Sequence, residues 1–157
     1  MYKTPSNLSE SVRATIGKAL NERLADGLDL HSQIKVAHWN IRGPQFPALH
    51  PLFEQFAIGL ALHNDALAER AVTLGQFAVG TARQVARASR LPEYPVDTTR
   101  DLEHVQALAE RIDTYLTGVR EARALAEQHA DTGTFDLLSA VLKEFEKNAW
   151  FLRATLA

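Results

Sequence analysis

Apolar side chains recur at helical spacing along most of this chain, and this periodicity restricts the fold more than any other feature. From Ser9 to Ile41 they return every three, four or seven residues, which predicts one long amphipathic helix. The run Arg42-Gly43-Pro44 ends it, and Pro47 opens a second helix that reaches Leu74. The first half of the chain is therefore a pair of long helices joined by a short link.

The second half repeats this arrangement after a long connection. Asp97-Thr98-Thr99 is expected to cap a third helix that extends to about His129. Asp131-Thr132-Gly133 then leads into a fourth helix ending near Thr155. The connection between helices two and three holds two glycines, two prolines and a short helical stretch, Ala82 to Ser89, capped by Thr81.

The lengths of the connections predict the topology. Short links make helices one and two, and three and four, antiparallel neighbours. The connection between two and three can extend roughly 70 Å at about 3.3 Å per residue, enough to travel the length of a helix. We therefore expect an all-α, ferritin-like four-helix bundle with a short helix in its long crossover. Residues 9–157 form this domain, and residues 1–8 form a short N-terminal tail.

Composition excludes several classes of protein. A chain of 157 residues with 46% hydrophobic content suits one domain with one core. The absence of cysteine excludes disulfides, thiolate metal sites and thiol nucleophiles. No signal peptide and no run of about 18 uncharged apolar residues is visible, so we expect a cytoplasmic protein that does not enter a membrane. The net charge of −2 gives no general attraction for nucleic acid.

The second predicted helix carries a stripe of candidate metal ligands: His50, Glu54, Asp65 and Glu69. All four fall within about 100° of the helix circumference when each residue turns about 100°. Imidazole and carboxylate groups bind iron and zinc in proteins. Because Glu54 and Asp65 lie roughly 16 Å apart along the axis, the stripe consists of two half-sites rather than one site.

These four residues are placed symmetrically about the Gly59–Leu60 junction. An identical helix packed antiparallel across a two-fold axis at this junction would bring His50 opposite the partner's Glu69. The same packing brings Glu54 opposite the partner's Asp65. Gly59 would let the two backbones approach closely at the crossing. One interface would then create two equivalent sites of mixed histidine and carboxylate ligands.

Two residues at the end of the first helix extend this site. His38 lies shortly before the second helix and can add an imidazole to the His50 half-site. Trp39 beside it is a candidate sink for stray oxidising equivalents, because an indole is readily oxidised. Taken alone, His38 is more often a histidine bonded to a carbonyl at a helix end, and each carboxylate is more often a solvated helix position. The symmetric set favours the metal site, because a carboxylate-rich stripe buried without a cation would be costly.

The other histidines lack a patterned set of carboxylates. His31 lies one heptad before His38, about 10 Å away, and is expected to support the site from outside or lie on the surface. Solvent exposure is expected for His63, His104 and His129.

Two sequence motifs resemble those of the Dps family, the starvation-induced mini-ferritins. The first is AHWN-x-x-G-x-x-F-x-x-x-H, beginning at Ala37, and the second is D-x-x-A-E-R, beginning at Asp65. Similarity continues through GTARQVARASRLPEYPVD at residues 80–97 and NAWFL near the C-terminus, so it covers nearly the whole chain.

The resemblance implies a dodecameric shell with ferroxidase sites at its two-fold interfaces. The family's ligand positions match His38, His50 and Glu54 of one subunit, with Asp65 and Glu69 of its partner. The family usually has aspartate where this chain has Glu54, whose carboxylate reaches one methylene further. Acids near the start of the fourth helix line the family's entry pores, and Asp131 and Asp136 match that region approximately.

The function implied is iron storage and detoxification. Fe(II) would be oxidised, in this family preferably by hydrogen peroxide rather than dioxygen, and Fe(III) would be stored as a mineral that spares DNA from oxidative damage. Ordinary ferritins use Glu-x-x-His motifs inside the bundle, and this chain has none. Zn²⁺ is a competing occupant, because it generally binds such ligands more tightly than Fe²⁺.

Two alternatives from other classes remain. The first is a DNA-binding nucleoid protein with secondary iron chemistry; relatives often bind DNA through a lysine-rich tail, and residues 1–8 here contain only Lys3. DNA binding would therefore be weak and dependent on salt. The second is a metal-free bundle that acts only through protein interactions.

Overall fold

The computed structural model describes residues 4–157 and confirms the all-α, ferritin-like architecture; Lys3, the cation of the predicted tail, lies outside that range. The described helices are α1 (Glu10–Asn40), α2 (Phe46–Thr73), α3 (Ala82–Ala88), α4 (Asp101–Gln128) and α5 (Thr132–Leu156). The four long helices form the bundle, and α3 lies in the crossover between α2 and α4. None of the helices in the described range is long and apolar enough to cross a membrane.

The predicted ends of α1 and α2 agree with the structure to within one residue. Ser9 caps α1 by accepting a hydrogen bond from the Val12 amide at 3.3 Å. Beyond the helix, Gly43 has a φ of 135°, a conformation that favours glycine. A side chain at Gly43 would also collide with the Asp101 carboxylate. The turn between α1 and α2 therefore depends on this glycine.

The predicted start of the third long helix was wrong. It begins at Asp101, and Asp97-Thr98-Thr99 does not cap it. These residues instead lie against the turn between α1 and α2, where the Arg42 amide donates to the Thr99 carbonyl at 2.9 Å. The Asp101 amide in turn donates to the Arg42 carbonyl at 2.9 Å. Contacts distant in sequence thus hold Thr99 and Arg100 in extended chain beside Arg42.

Polar contacts attach the crossover to α1. Thr81 begins α3 as predicted, because both its amide and its hydroxyl donate to the Gln84 side chain. After α3, the Arg90 guanidinium contacts the fully buried carboxylate of Asp26 at 2.9 Å. Tyr94 follows with only 4% of its surface exposed. The crossover is therefore packed onto the bundle after α3, whereas α3 itself has no buried residue.

The core lies between the two helix pairs. α1 packs along α2, α4 packs along α5, and α1 also contacts α4 and the crossover helix α3. The largest fully buried side chains come from all four long helices and the end of α2: Tyr115, Phe53, Phe145, Ile16, Leu20, Leu30, Ile34, Leu60, Leu67, Leu74, Leu108 and Ile112. Burial of these side chains stabilises the bundle. It also leaves the opposite side of α2, which carries the candidate ligands, at the surface of the subunit.

Candidate metal centre

His38 and His50 form a stacked pair at the junction of α1 and α2. Their ring centroids are 3.8 Å apart, with an angle of 21° between the planes. The Nδ1 atom of His38 lies 2.8 Å from the His50 carbonyl, and that of His50 lies 2.9 Å from the His38 carbonyl. A carbonyl only accepts, so each Nδ1 carries the proton and each Nε2 keeps a free lone pair. This is the tautomer that a histidine needs to bind a metal through Nε2.

Glu54 lies beside this pair. Its Oε2 atom is 3.4 Å from Nε2 of His38, so one carboxylate and two imidazoles meet on one side of α2. The same oxygen accepts a hydrogen bond from the ammonium group of Lys35. This hydrogen bond is the main cause that lowers the pKa of the Glu54 carboxyl, with smaller contributions from the two histidines. Glu54 therefore stays ionised and available to a cation.

Lys35 was not among the site residues predicted from the sequence. The residue lies three positions before His38, on the same side of α1, and this spacing could have revealed it. Its ammonium group already neutralises the carboxylate that a metal ion would use. A metal bound by Glu54 must therefore displace Lys35 or share the carboxylate with it.

Asp65 and Glu69 are exposed on α2, and a single subunit does not bring them to the histidine pair. Over residues 4–157, no group of three or more His, Asp or Glu side chains was found that could hold a metal ion. Within one chain, His38, His50 and Glu54 therefore do not make a complete metal site by themselves. Its completion by Asp65 and Glu69 of a partner stays a prediction.

His31 lies near the second half of the stripe. It is half-buried in a groove of about 370 Å³ between α1 and α2, which Asp65 also lines. Burial lowers the pKa of the His31 imidazole, and Lys35 lowers it further. His31 is therefore mostly neutral near pH 7, and its place outside the ligand set stays a prediction.

Trp39 is 68% exposed at the end of α1, directly after His38 in the chain. The Lys35 ammonium lies 5.9 Å from the centroid of its indole ring. The indole is therefore open to solvent and adjacent to the candidate site. Its role as a sink for oxidising equivalents stays a prediction.

The two candidate pore residues differ in their surroundings. Asp131 is 4% exposed; its carboxylate caps α5 by accepting from the Thr134 amide and pairs with the Arg70 guanidinium at 2.6 Å. The group is thus occupied in holding α2 and α5 together and is not free to line a pore. Asp136 is exposed, and a pore role for it stays a prediction.

The predicted exposure of the remaining histidines was wrong for two of them. His104 is completely buried, and its Nδ1 atom lies 2.6 Å from the Tyr94 hydroxyl. His63 is mostly buried and bonds Glu144 of α5 at 2.9 Å. Only His129, half-buried just beyond α4, resembles the surface residue expected. Each of the two partners is distant in sequence or lies outside the helix, so helical spacing could not reveal it.

Gly59 also has a close neighbour inside the subunit that the sequence did not predict. A Cβ atom at this position would lie 2.1 Å from an oxygen of Glu144, the residue that bonds His63. The missing side chain therefore makes room for a contact between α2 and α5 inside the subunit. The close approach of two backbones at a two-fold axis is not needed to explain this glycine.

The comparisons with known proteins agree with this fold. The ferritin-like domain family matches residues 17–157. The chain is 37% identical to the "DNA protection during starvation protein" of Agrobacterium fabrum, across 98% of this chain and 94% of the relative. The chain belongs to the Dps family. A second relative with the same name, from Mycolicibacterium smegmatis, is 33% identical across 98% of this chain and 83% of the relative.

Solved structures of Dps proteins superimpose closely on this chain. DpsC from Streptomyces coelicolor superimposes with a TM-score of 0.94 at 34% identity, covering 99% of this chain and 91% of that one. The Dps protein from Vibrio cholerae O1 superimposes with a TM-score of 0.92 at 29% identity, covering both chains completely. That structure is described as a member of a broad superfamily of ferritin-like diiron-carboxylate proteins.

Proposed function

We propose that this Dps-family subunit assembles into a dodecameric shell that oxidises Fe(II) at sites shared between two subunits and stores the Fe(III) inside. Each site would consist of His38, His50 and Glu54 of one subunit, with Asp65 and Glu69 of its partner. The preferred oxidant would be hydrogen peroxide, with dioxygen as the slower alternative. The reaction would take place in the cytoplasm, where removal of iron and peroxide protects DNA.

The reciprocal hydrogen bonds between His38 and His50 carry this proposal. Each Nδ1–H donates to a main-chain carbonyl, and these two hydrogen bonds fix the orientation of both imidazoles. The Nε2 lone pairs then remain available to a metal ion. Glu54, which contacts one of these nitrogens, supplies a carboxylate oxygen for the same ion.

The surface around the half-site supports its completion by a second subunit. Ile58 and Leu62, on the α2 face between the two halves of the stripe, are 56% and 70% exposed. Exposed apolar side chains of this size commonly mark a surface that another protein covers. Pairing α2 with its copy would bury them and bring Asp65 and Glu69 to the partner's histidines.

The chemistry follows from the ligand types. Imidazole and carboxylate together bind Fe(II), and the carboxylates bind the Fe(III) product more strongly than imidazole does. Two ferrous ions at one site can give both electrons to one peroxide molecule, which then leaves as water or hydroxide without forming a hydroxyl radical. Zn²⁺ would compete for the same ligands.

A complementation experiment tests the shared site. His50→Ala and Glu69→Ala should each abolish fast Fe(II) oxidation, because each homodimer loses a ligand from both of its sites. In a mixed dimer, one of the two sites takes His50 from the Glu69→Ala subunit and Glu69 from the His50→Ala subunit. That site keeps all of its ligands and is fully wild type. Random mixing of equal amounts should therefore restore about a quarter of wild-type activity, because half of the dimers are mixed and each has one intact site.

The controls are each variant refolded alone and a mixture of wild type with either variant. Differential tags and mass spectrometry verify that subunits have exchanged. Verified mixed dimers without any recovered activity would show that the ligands come from one chain and would overturn the proposal. Light scattering of the same preparation should give the mass of a dodecamer, and peroxide should oxidise Fe(II) faster than dioxygen.

A further inference from the structure

Tyr94 and His104 form an isolated hydrogen-bonded pair in the interior of the subunit. The tyrosine oxygen lies 2.6 Å from Nδ1 of the imidazole, and the two rings are nearly parallel, with an angle of 11° between their planes. Tyr94 is 4% exposed and His104 is fully buried. A short contact of this kind gives the phenol a base that can take its proton without help from water.

Both groups are neutral at rest. Burial raises the pKa of the Tyr94 phenol, so it keeps its proton. Burial also lowers the pKa of the His104 imidazole, so Nδ1 has a free lone pair. The hydroxyl therefore donates and Nδ1 accepts. The neutral imidazole then carries its own proton on Nε2, which is buried without a well-formed hydrogen bond.

The surroundings of His104 would stabilise the imidazolium form once a proton arrived. The carboxylates of Asp101 and Glu103 and the backbone of Asn40 all raise the pKa of the imidazole against the effect of burial. Asn40 is the last residue of α1, where the helix dipole presents its negative end. A proton transferred from the phenol to Nδ1 would thus meet three favourable interactions.

The positive charge of Arg111 disfavours oxidation of Tyr94 without proton transfer. Its guanidinium lies 5.3 Å from the centroid of the Tyr94 ring, and it is held there by Gln33 and the Glu93 carbonyl. This positive charge opposes formation of a cationic phenol radical. Electron loss from Tyr94 must therefore be accompanied by proton transfer to His104, which leaves a neutral tyrosyl radical.

We propose that Tyr94 and His104 form a proton-coupled one-electron donor that removes oxidising equivalents from the iron site. The source of those equivalents rests on the proposed function. The backbone of Asn40, the last residue of α1, interacts with His104, and Trp39 directly precedes Asn40 in the chain.

The electron and proton balance is simple. An indole of Trp39 that has lost one electron takes an electron from Tyr94. The phenolic O–H bond breaks, and its proton forms an N–H bond at Nδ1 of His104. The products are neutral Trp39, a neutral tyrosyl radical and an imidazolium. A further Fe(II), the substrate of the proposed reaction, returns the electron as it becomes Fe(III), and the proton moves back to the phenol oxygen.

Tyr115 provides a matched control. It is also fully buried, and its hydroxyl lacks a hydrogen-bond partner in the described part of the chain. Burial raises its pKa as it does for Tyr94, but no base is placed to accept the proton. Tyr115 should therefore not form a stable neutral radical. The chain has three tyrosines, so a Tyr2→Phe background leaves only these two.

The test uses the assembled, iron-free protein in that background and a ruthenium(III) complex generated by a light flash as the one-electron oxidant. Electron paramagnetic resonance should show a neutral tyrosyl radical, and ring-deuterated tyrosine should narrow its signal. The signal should persist in Tyr115→Phe, where Tyr94 is the only tyrosine left, and be lost in Tyr94→Phe. His104→Gln should also lose it, because glutamine accepts a hydrogen bond but does not hold the proton.

A tyrosyl signal absent from the Tyr115→Phe protein, or unchanged in His104→Gln, would overturn the proposal and leave the pair as a structural contact. This arm contains no iron, so its result does not depend on the proposed ferroxidase. A second arm adds Fe(II) and peroxide. Rapid iron oxidation without a Tyr94 signal in either arm would reject this inference and leave the proposed function standing.

Discussion

His38 and His50 orient each other through two crossed hydrogen bonds, in which each ring donates to the main-chain carbonyl of the other residue. The acceptors belong to the backbone, so the hydrogen bond that orients one ring survives replacement of the other side chain. The junction of α1 and α2 therefore positions each imidazole independently. Stacking of the two rings further stabilises this arrangement.

Lys35 is predicted to weaken metal binding at Glu54. Lys35→Met removes the ammonium group that lowers the pKa of the Glu54 carboxyl, and it also removes a positive charge beside the ion. We expect Zn²⁺, used as a redox-silent probe, to bind several-fold more tightly by calorimetry near neutral pH. Lys18→Met, which alters an exposed pair with Glu22, should leave the affinity unchanged. Equal or weaker binding by Lys35→Met would show that the lysine helps to hold the ion.

The same contact predicts a pH dependence. Because the pKa of Glu54 lies below its ordinary value of 4.5, the carboxylate stays charged as the pH falls to that value and is protonated only below it. In Lys35→Met the main cause of the lowering is gone, so protonation should begin at higher pH. Zn²⁺ affinity, corrected for histidine protonation with Glu54→Gln, should therefore decline earlier on acidification in Lys35→Met. Identical profiles would contradict this.

Asp131 is predicted to stabilise the fold, unlike Asp136. Asp131→Ala removes the cap of α5 and leaves the Arg70 guanidinium without its buried partner, so unfolding should become easier by about 2 to 4 kcal/mol. Asp136→Ala alters an exposed position and should change stability by less than about 0.5 kcal/mol. Urea denaturation of both variants measures the difference. Similar stability of the two would mean that Asp131 is not a structural residue.

Tyr115→Phe and Tyr94→Phe are predicted to shift stability in different directions. Removing the unpartnered Tyr115 hydroxyl should leave the free energy of unfolding unchanged or raise it by about 1 kcal/mol. Removing the Tyr94 hydroxyl breaks its hydrogen bond to His104 and should lower that free energy by about 1 kcal/mol or more. Thermal unfolding at equal protein concentration compares them. Clear destabilisation by Tyr115→Phe would indicate an internal water bonded to that hydroxyl.

Leu62 is predicted to be essential for assembly. Leu62→Glu places a charge on the exposed apolar face of α2 and should reduce the particle from a dodecamer to smaller species in light scattering. The helix content in circular dichroism should stay the same, because the side chain lies outside the core. Leu102→Glu, at an exposed leucine of α4, is the control and should still assemble. A normal particle from Leu62→Glu would place the two-fold interface elsewhere.

Helical periodicity was sufficient to predict the four long helices and the stripe of His50, Glu54, Asp65 and Glu69. The turn per residue is nearly constant in an α-helix, so spacing along the chain determines which residues share a face. The ends of α1 also followed from local signals, namely a serine cap and a glycine in the left-handed region.

Only the tertiary structure decided which partners those faces meet. The crossed pair of His38 and His50, the lysine on Glu54 and the burial of His104 beneath Tyr94 all join residues that no single helical repeat relates. Asp131, predicted as a pore acid, is the buried partner of Arg70, because the end of α2 lies beside the start of α5. Local spacing sets the direction of a side chain on its helix, whereas packing between helices determines the group it contacts and hence its charge, exposure and chemistry.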